Sequence, residues 1–398
     1  MGDQCKNILV LGATGSIGDS TLDIISRHPE RFKVVALTGH SNINKLVGLC
    51  KKFQPSYVIS TDDLCYKELN NALKTTQIKV LSGNNALLNL CQLDEIDMVV
   101  AGIVGNAGMQ PVLAAVEAGK DLLLANKEAL VMAGDLVMQA AKKNNAKIVP
   151  LDSEHNAIYQ CLPDSYQVGN TPEDIEKIIL TASGGPFWNR DKSTFNSITP
   201  EMACAHPNWD MGRKISVDSA TLMNKGLEII EAHWLFNLNE DKIDVHVHPQ
   251  SIIHSMVCYN DGSILAQLGN PDMRIPIAYG LGLRDRISSG AALIDLLKNN
   301  QLQFLAPDYD KFPCLALAKD AIKAKGTSMA ILNCANETSV AAFLDNQIPF
   351  TAIADINQQI MQQSNTEEVE NIQQLIELDQ EIREITQQLI IKKGAKSV

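Results

Sequence analysis

Asp152 and Glu154 stand two residues apart in the stretch Pro150-Leu151-Asp152-Ser153-Glu154-His155-Asn156. In extended backbone, residues i and i+2 point to the same side. The two carboxylates would then share one face at a sheet edge, where α/β proteins bind ligands. Carboxylates that close repel each other unless a cation or a proton lies between them, so a divalent metal is one account of the pair. The plainer account is a strand end followed by a helix N-terminus, where acids are common. A second polar group lies downstream, in Ser216, Ser219, Asn224 and Lys225, ahead of an apolar helix expected to run to Phe236. Hydroxyl, amide and ammonium donors at a helix start are the make-up of an anion pocket. Glu228 and Glu231 follow at i and i+3, near neighbours on a helix. Either can project inward to a metal, and the spacing does not choose.

These groups need elements to hold them. A strand over residues 6–11 (KNILVL) runs into Gly12-Ala13-Thr14-Gly15-Ser16-Ile17-Gly18, and a helical pattern follows over 19–26. Strand, glycine turn and helix in that order suit a dinucleotide pyrophosphate, because backbone N–H groups and the helix N-terminus face it. The second strand, over 33–37, ends at Thr38-Gly39-His40-Ser41-Asn42. An NAD site usually carries an acid here for the ribose hydroxyls; with polar donors in its place, NADP is expected. Further strands over 57–59, 78–81, 98–101, 122–124 and 147–151 alternate with helical stretches, including 111–118 and 128–143. This alternation predicts a doubly wound, mostly parallel sheet. Gly102-Ile103-Val104-Gly105-Asn106-Ala107-Gly108 and Asn126-Lys127-Glu128 follow two of the strands, at the ligand-binding edge.

Beyond Asn156 the pattern changes. A strand over 175–181 breaks at Ser183-Gly184-Gly185-Pro186, and an irregular Gly-, Pro- and Trp-rich segment follows, a composition suited to a lid or to an anchored surface loop. Strands over 245–248, 252–257 and 262–268 predict an antiparallel sheet carrying His246, His248 and His254. Residues 282–307 read as a connecting segment. Helices are expected over 314–324, 328–345, 350–363, 369–377 and 379–392. The expected fold is therefore α/β: a doubly wound N-terminal NADP-binding sheet, an α+β catalytic domain with antiparallel strands and a C-terminal helical domain. The expected boundaries are 1–149, 150–282, a linker over 283–308, and 309–398.

Composition bounds the function. The 398 residues carry a net charge of -12, which argues against nucleic-acid or anionic-membrane partners. No apolar run approaches the ~18 residues of a membrane span. Nine scattered cysteines without a C-x-x-C spacing, and an N-terminus that runs straight into a strand, lead to the expectation of reduced thiols in a cytoplasmic protein.

Together the motifs are specific. The stretches LGATGSIG (11–18), LLANKEAL (123–130), PLDSEHNAI (150–158), TASGGPF (181–187), HPNWDMGRKISVDSATLMNKGLE (206–228), HPQSIIHSM (248–256) and NPDMRIPIA (270–278), with Cys334-Ala335-Asn336-Glu337 in the helical region, resemble the 1-deoxy-D-xylulose 5-phosphate reductoisomerase family. The resemblance implies an NADPH- and Mg²⁺- or Mn²⁺-dependent isomerisation and reduction of a small phosphorylated sugar, by a retro-aldol/aldol route, in a homodimer whose interface is expected within 245–268. It implies metal ligation by Asp152, Glu154 and Glu228, with Glu231 outside the set. Lys127 and Ser153 would contact substrate. Ser183, Ser219, Asn224 and Lys225 would hold its phosphate, with His206, Trp209 and Met211 closing over it. Thr14, Gly15, Ser16, Ile17, Asn42, Asn126, Glu128 and Gly212 would face the nucleotide. Gly39, His40 and Ser41 complete that loop, but His40 and Ser41 replace the Gly-basic pair that many members carry, which implies a weaker NADP preference. The alternatives are a plain NADP-dependent semialdehyde- or homoserine-type dehydrogenase and a non-catalytic NADP-binding sensor.

Overall fold

The computed structural model describes residues 5–205 and 212–394. The N-terminal half alternates strictly. Its strands are β1 (Lys6–Leu11), β2 (Phe32–Gly39), β3 (Tyr57–Ser60), β4 (Lys79–Ser82), β5 (Met98–Ala101), β6 (Asp121–Leu124) and β7 (Ile148–Pro150). The helices between and after them are α1 (Ser16–Arg27), α2 (Ile43–Phe53), α3 (Asp63–Leu73), α4 (Asn84–Cys91), α5 (Met109–Glu117), α6 (Lys127–Asn144) and α7 (Ser153–Cys161). All seven strands are parallel, in the order β4-β3-β2-β1-β5-β6-β7. Strands buried on both faces read as continuous apolar runs, and β5 is buried throughout.

The strand order reverses between β1 and β5, which opens a crevice beyond Leu11 and Ala101. Two glycine turns meet there. Gly12 has φ +74°, and a Cβ on it would lie 2.6 Å from the Gly102 carbonyl oxygen. Gly18 has its own constraint, since a Cβ would lie 2.4 Å from the Ala13 carbonyl oxygen. Glycine at these two positions lets α1 and the 102–108 turn close on the end of β1.

The second sheet has the order β11-β10-β8-β9, from β8 (Ile175–Ala182), β9 (Ile243–Val247), β10 (Ile253–Tyr259) and β11 (Ile264–Leu268). It is mixed rather than antiparallel, because β9 runs parallel to β8. Three α-helices among the described residues intervene between β8 and β9 and return the chain in the same direction. The polar stretch expected to open one helix is in fact split into α9 (Arg213–Ala220) and α10 (Met223–Phe236), preceded by the short α8 (Pro200–Cys204). Leu222 takes the left-handed conformation, φ +58°, and turns the chain between α9 and α10. A buried apolar side chain there, with 2% exposure, offsets the local cost of a conformation that L residues avoid.

Helix α11 (Arg274–Leu281) packs against α1 and α7. The C-terminal helices are α12 (Cys314–Ala324), α13 (Ser328–Leu344), α14 (Ala352–Gln363) and α15 (Ile372–Gly394). The two helices expected over 369–392 are this single α15. Nothing at Leu378-Asp379 breaks it, and Ile382, Leu389 and Ile390 continue its buried face. Helices α6, α10, α12 and α13 pack on one another and share one apolar core with the sheets.

Replacing Gly12 by Ala should lower the unfolding free energy by about 1–3 kcal/mol, from left-handed backbone and a clash with the neighbouring turn. Gly48 in α2 has open space around its Cα, so Gly48→Ala should stabilise by up to about 1 kcal/mol. Equilibrium urea unfolding reads both signs.

Candidate active site

Three carboxylates converge where α7 and α10 face each other. Oxygens of Asp152, Glu154 and Glu228 all lie within 4.8 Å of one another. The extended-strand argument for Asp152 and Glu154 is corrected by the backbone: β7 stops at Pro150, Asp152 is the N-cap of α7, and Glu154 lies in its first turn. The two acids are brought together by a helix start, not by strand alternation. Glu228 arrives from the second turn of α10 and is 1% exposed. Glu231, one turn further along, has a different neighbour. Glu231 lies beside His155, with Oε2 3.1 Å from Nδ1, while the other ring nitrogen lies 2.8 Å from the Glu228 carbonyl oxygen; Asp152, His155 and Glu231 also lie within 4.8 Å of one another. Burial would lower the His155 pKa, but the Glu231 carboxylate outweighs it and raises it to about 9. A protonated His155 donates from Nε2 to the Glu228 carbonyl and pairs electrostatically with Glu231, which ties α7 to the backbone of α10.

Two lysines lie among the acids. Lys127 Nζ is 2.8 Å from Asp152 Oδ2 and 3.4 Å from Glu228 Oε1, and it donates to Asn224 Oδ1 at 3.0 Å. Lys225 Nζ donates to Glu154 Oε1 at 2.9 Å and to Glu228 Oε2. Asn224 Nδ2 donates to Glu228 Oε1 at 2.6 Å, and the Ser153 hydroxyl to Glu154 Oε2 at 2.6 Å. Burial opposes the charge on both ammonium groups, but their carboxylate neighbours hold both pKa values above the ordinary lysine range. Asp152 is half-buried; burial would raise its carboxyl, but Lys127 holds it below the usual range. Burial and the neighbouring Glu154 push Glu228 up to about 7. Two ammonium groups thus do not fully compensate three carboxylates. The donors are all oxygen, the set that Mg²⁺ and Mn²⁺ take, so the residues present fit a hard divalent cation.

The trio opens on a cavity of about 490 Å³ that reaches the glycine turn of β1. Its wall includes Ser16, Ile17, Lys127, Glu128, Ser153, Ser183, Gly212, Ser219, Asn224 and Lys225 from the expected set. The Ser183 hydroxyl accepts from the Gly185 N–H at 3.2 Å. Asn126 caps α6, accepting from the Ala129 N–H at 2.6 Å, and its amide donates to the carbonyls of Ile103 and Gly105. Gly15 is the N-cap of α1, and Thr14 contributes its carbonyl to Lys45. Gly39 ends β2. His40 hydrogen-bonds the Thr61 hydroxyl at 3.0 Å through Nδ1, Ser41 is exposed, and Asn42 caps α2. Thr14, Gly15, Gly39, His40, Ser41, Asn42 and Asn126 lie outside the cavity wall itself. His206, Trp209 and Met211 lie outside the described residues.

Other side chains enter the picture only in three dimensions. Lys214 and Asp218 line the cavity and pair at 2.9 Å, an i,i+4 ion pair that helical spacing would have suggested had α9 been foreseen. His254 also lines it, and burial lowers its pKa, favouring the neutral ring. Lys45 reaches the glycine turn, with Nζ 2.9 Å from Thr14 O and 2.6 Å from Asp19 Oδ2; no local sequence signal links residues so far apart. His248, by contrast, is structural. It stacks on Phe304 at 4.8 Å between ring centroids, and its Nε2 accepts from the Ile252 and Ile253 N–H groups.

Lys225→Met should destabilise the metal-free protein by about 3–5 kcal/mol, because it removes the ammonium group that Glu154 and the buried Glu228 share. An acid whose folded pKa is raised weakens the fold as pH climbs from its unfolded value through the folded one. Removing Lys225 raises Glu228 further, so the loss should be larger at pH 9 than at pH 6, read by denaturant unfolding in chelator. Equal losses at both pH values would contradict this charge assignment.

Known proteins supply the context. The family model described as 1-deoxy-D-xylulose 5-phosphate reductoisomerase matches residues 8–134, its C-terminal domain matches 148–236, and a further DXP reductoisomerase C-terminal domain matches 268–385. The 1-deoxy-D-xylulose 5-phosphate reductoisomerase of Nitrosomonas eutropha is 51% identical over 381 residues, covering 95% of this chain and 92% of its own. That of Ralstonia nicotianae is 55% identical over 351 residues, covering 88% and 89%. Among solved structures, a DOX-P reductoisomerase in complex with NADPH, fosmidomycin and magnesium superposes with a TM-score of 0.92 at 45% identity, covering 97% of this chain and 98% of that one. The Zymomonas mobilis enzyme in complex with NADPH gives 0.91 at 42% identity, covering 97% and 99%. With three family models spread along it and relatives at about half identity over nearly its full length, the chain belongs to the 1-deoxy-D-xylulose 5-phosphate reductoisomerase family.

Proposed function

We propose that the chain catalyses the NADPH- and divalent-metal-dependent isomerisation and reduction of 1-deoxy-D-xylulose 5-phosphate to 2-C-methyl-D-erythritol 4-phosphate, a step of the non-mevalonate isoprenoid pathway. The observation that carries this reading is one cavity with a carboxylate trio at one side and the dinucleotide glycine turn at the other. Asp152, Glu154 and Glu228 are the residues to hold Mg²⁺ or Mn²⁺. When bound, the metal supplies stabilisation of negative charge on substrate oxygens as the carbon skeleton rearranges, and NADPH supplies the hydride.

The chain's own residues do the rest. Ser183, Ser219, Asn224 and Lys225 are the phosphate donors, and the α10 N-terminus adds a favourable dipole. Fixing the phosphate lets remote binding energy orient the reacting end. Lys127 is held charged by Asp152 and Glu228, so its role is that of a hydrogen-bond donor to substrate oxygens rather than a base. Ser153, between two acids, faces substrate. His206, Trp209 and Met211 are assigned to cover it on family grounds. On the nucleotide side the assignment is Thr14, Gly15, Ser16, Ile17, Gly39, His40, Ser41, Asn42, Asn126, Glu128 and Gly212. The cation Lys45 at the glycine turn adds positive charge near a loop that lacks the usual basic residue.

A homodimer belongs to the same proposal. Strand β11 is a sheet edge with Ile264 56% and Leu265 49% exposed. An unpaired apolar edge strand invites a second chain. Leu265→Asp should shift the protein toward monomer in sedimentation velocity; an unchanged species would place the interface elsewhere.

The activity test is NADPH oxidation with 1-deoxy-D-xylulose 5-phosphate, with Mg²⁺, with EDTA, and with NADH in its place. Turnover should need the metal and favour NADPH. Glu228→Gln should lose roughly 100-fold or more in kcat, the scale of several kcal/mol of metal electrostatics. Full turnover in EDTA would instead indicate a plain dehydrogenase.

A further inference from the structure

Helix α13 contributes no residue to the site just described, yet it buries a row of polar side chains. Asn333, Asn336 and Glu337 stand at i, i+3 and i+4, on one helix face. Asn333 and Asn336 are fully buried. A buried amide costs free energy unless its polar atoms are matched; Asn336 is matched at both ends and Asn333 through Nδ2, its Oδ1 having no hydrogen-bond partner among the described residues, and the partners of these two lead to the cofactor edge of the N-terminal sheet.

The first line starts at Asn336. Its Nδ2 donates to Asp218 Oδ1 at 2.7 Å, while its Oδ1 accepts from Asn357 Nδ2 of α14 at 3.0 Å. Asp218 is 1% exposed. Its other oxygen lies 2.9 Å from Lys214 Nζ, and the same ammonium lies 2.9 Å from Glu128 Oε1. Burial would raise the Glu128 carboxyl, but Lys214 outweighs it and holds it below the usual range. Glu128 is next to Lys127 at the start of α6. The second line starts at Asn333, whose Nδ2 donates to Asn106 Oδ1 at 3.1 Å. Asn106 donates to Asp379 Oδ1 at 2.7 Å; Arg383 bonds that same oxygen at 2.8 Å and also the Glu337 carboxylate. Asn106 lies in the 102–108 turn, which Asn126 grips from the opposite side.

We infer that the Asn333–Asn336–Glu337 face of α13 is a positioning element for the cofactor edge: Asn336 sets Glu128 through Asp218 and Lys214, and Asn333 sets the 102–108 turn through Asn106. The side-chain types follow from this. Asn336 must donate to a carboxylate and accept from an amide at once, which an Asn does and a Leu or Asp does not. Asp218 must balance Lys214 so that the ammonium is shared with Glu128 and held in one place. The C-terminal helices thereby act on nucleotide binding without touching the nucleotide. This inference rests on the reading that the edge binds NADPH.

The test compares Asn336→Leu, Lys214→Met and their double variant with Val340→Ala, a fully buried α13 position outside the relay. NADPH binding is measured by fluorescence titration, and amide hydrogen exchange is followed over 102–108 and the start of α6. Asn336→Leu should weaken NADPH binding roughly tenfold or more, the scale of one lost hydrogen bond to a charged group. The double variant should bind no more weakly than the worse single one, because both break one line. Val340→Ala should lose stability and keep the wild-type affinity. Exchange should quicken at the α6 start in Asn336→Leu alone of the two α13 variants. Wild-type affinity and exchange in Asn336→Leu, or additive effects in the double variant, would overturn the inference. If Asn336→Leu does not fold, Lys214→Met decides alone: unchanged affinity and unchanged exchange at α6 overturn it. If the wild-type protein binds no NADPH, the functional reading fails, and the exchange comparison still decides the positioning role.

Discussion

Three carboxylates held within 4.8 Å of one another in a buried site set the terms for the rest of the molecule. Such a cluster is unfavourable by itself, since burial and mutual repulsion both oppose ionisation. The chain answers with Lys127 and Lys225, each bonded to two of the acids, and with Asn224 and Ser153 as further donors. The compensation is incomplete, and Glu228 carries the deficit as a raised pKa. An arrangement that stores uncompensated negative charge among oxygen donors is poised for a divalent cation. In the proposed reaction the same lysine and asparagine side chains then serve the substrate.

Holding that cluster requires two helices to meet at a fixed distance. Helix α7 begins at the end of the parallel sheet and brings Asp152, Ser153 and Glu154 in its cap and first turn. Helix α10 belongs to the second sheet and brings Asn224, Lys225 and Glu228. The left-handed residue Leu222 aims the start of α10 at the cavity, and the buried His155 contacts tie its backbone to α7. The carboxylate trio and the proposed phosphate side therefore share one element, whose geometry is set by packing away from the site. The buried amides and ion pairs of α13 extend the same logic to the nucleotide side.

Much of this was legible in the residues. The strand–glycine turn–helix order around Gly12 and Gly18 reads directly, because apolar runs and glycine needs are local properties. The grouping of Asp152, Glu154 and Glu228 followed from resemblance rather than spacing; the residues alone left Glu228 and Glu231 open. Three of the expectations that fail do so for identifiable local reasons. The shared-face argument puts Asp152 and Glu154 in extended backbone, whereas the plainer account, a strand end followed by a helix N-terminus, is what the backbone adopts. A single helix running to Phe236 is expected because Leu222 carries no mark of a left-handed turn. The C-terminal pattern was divided at Leu378, although nothing there breaks a helix.

The chain by itself determined which segments form the parallel sheet, where its glycines must lie and which polar residues are too concentrated to be surface decoration. These depend on periodicity, backbone freedom and residue chemistry, all written within a few residues. Only the tertiary structure decided which carboxylates face one another, that Glu231 turns to His155, that Lys214 bridges Asp218 and Glu128, and that Asn336 reaches Asp218. Each of these partnerships joins side chains from different elements. Their energies come from burial and from distances that exist only once the helices have packed, so no local pattern in the sequence can carry them.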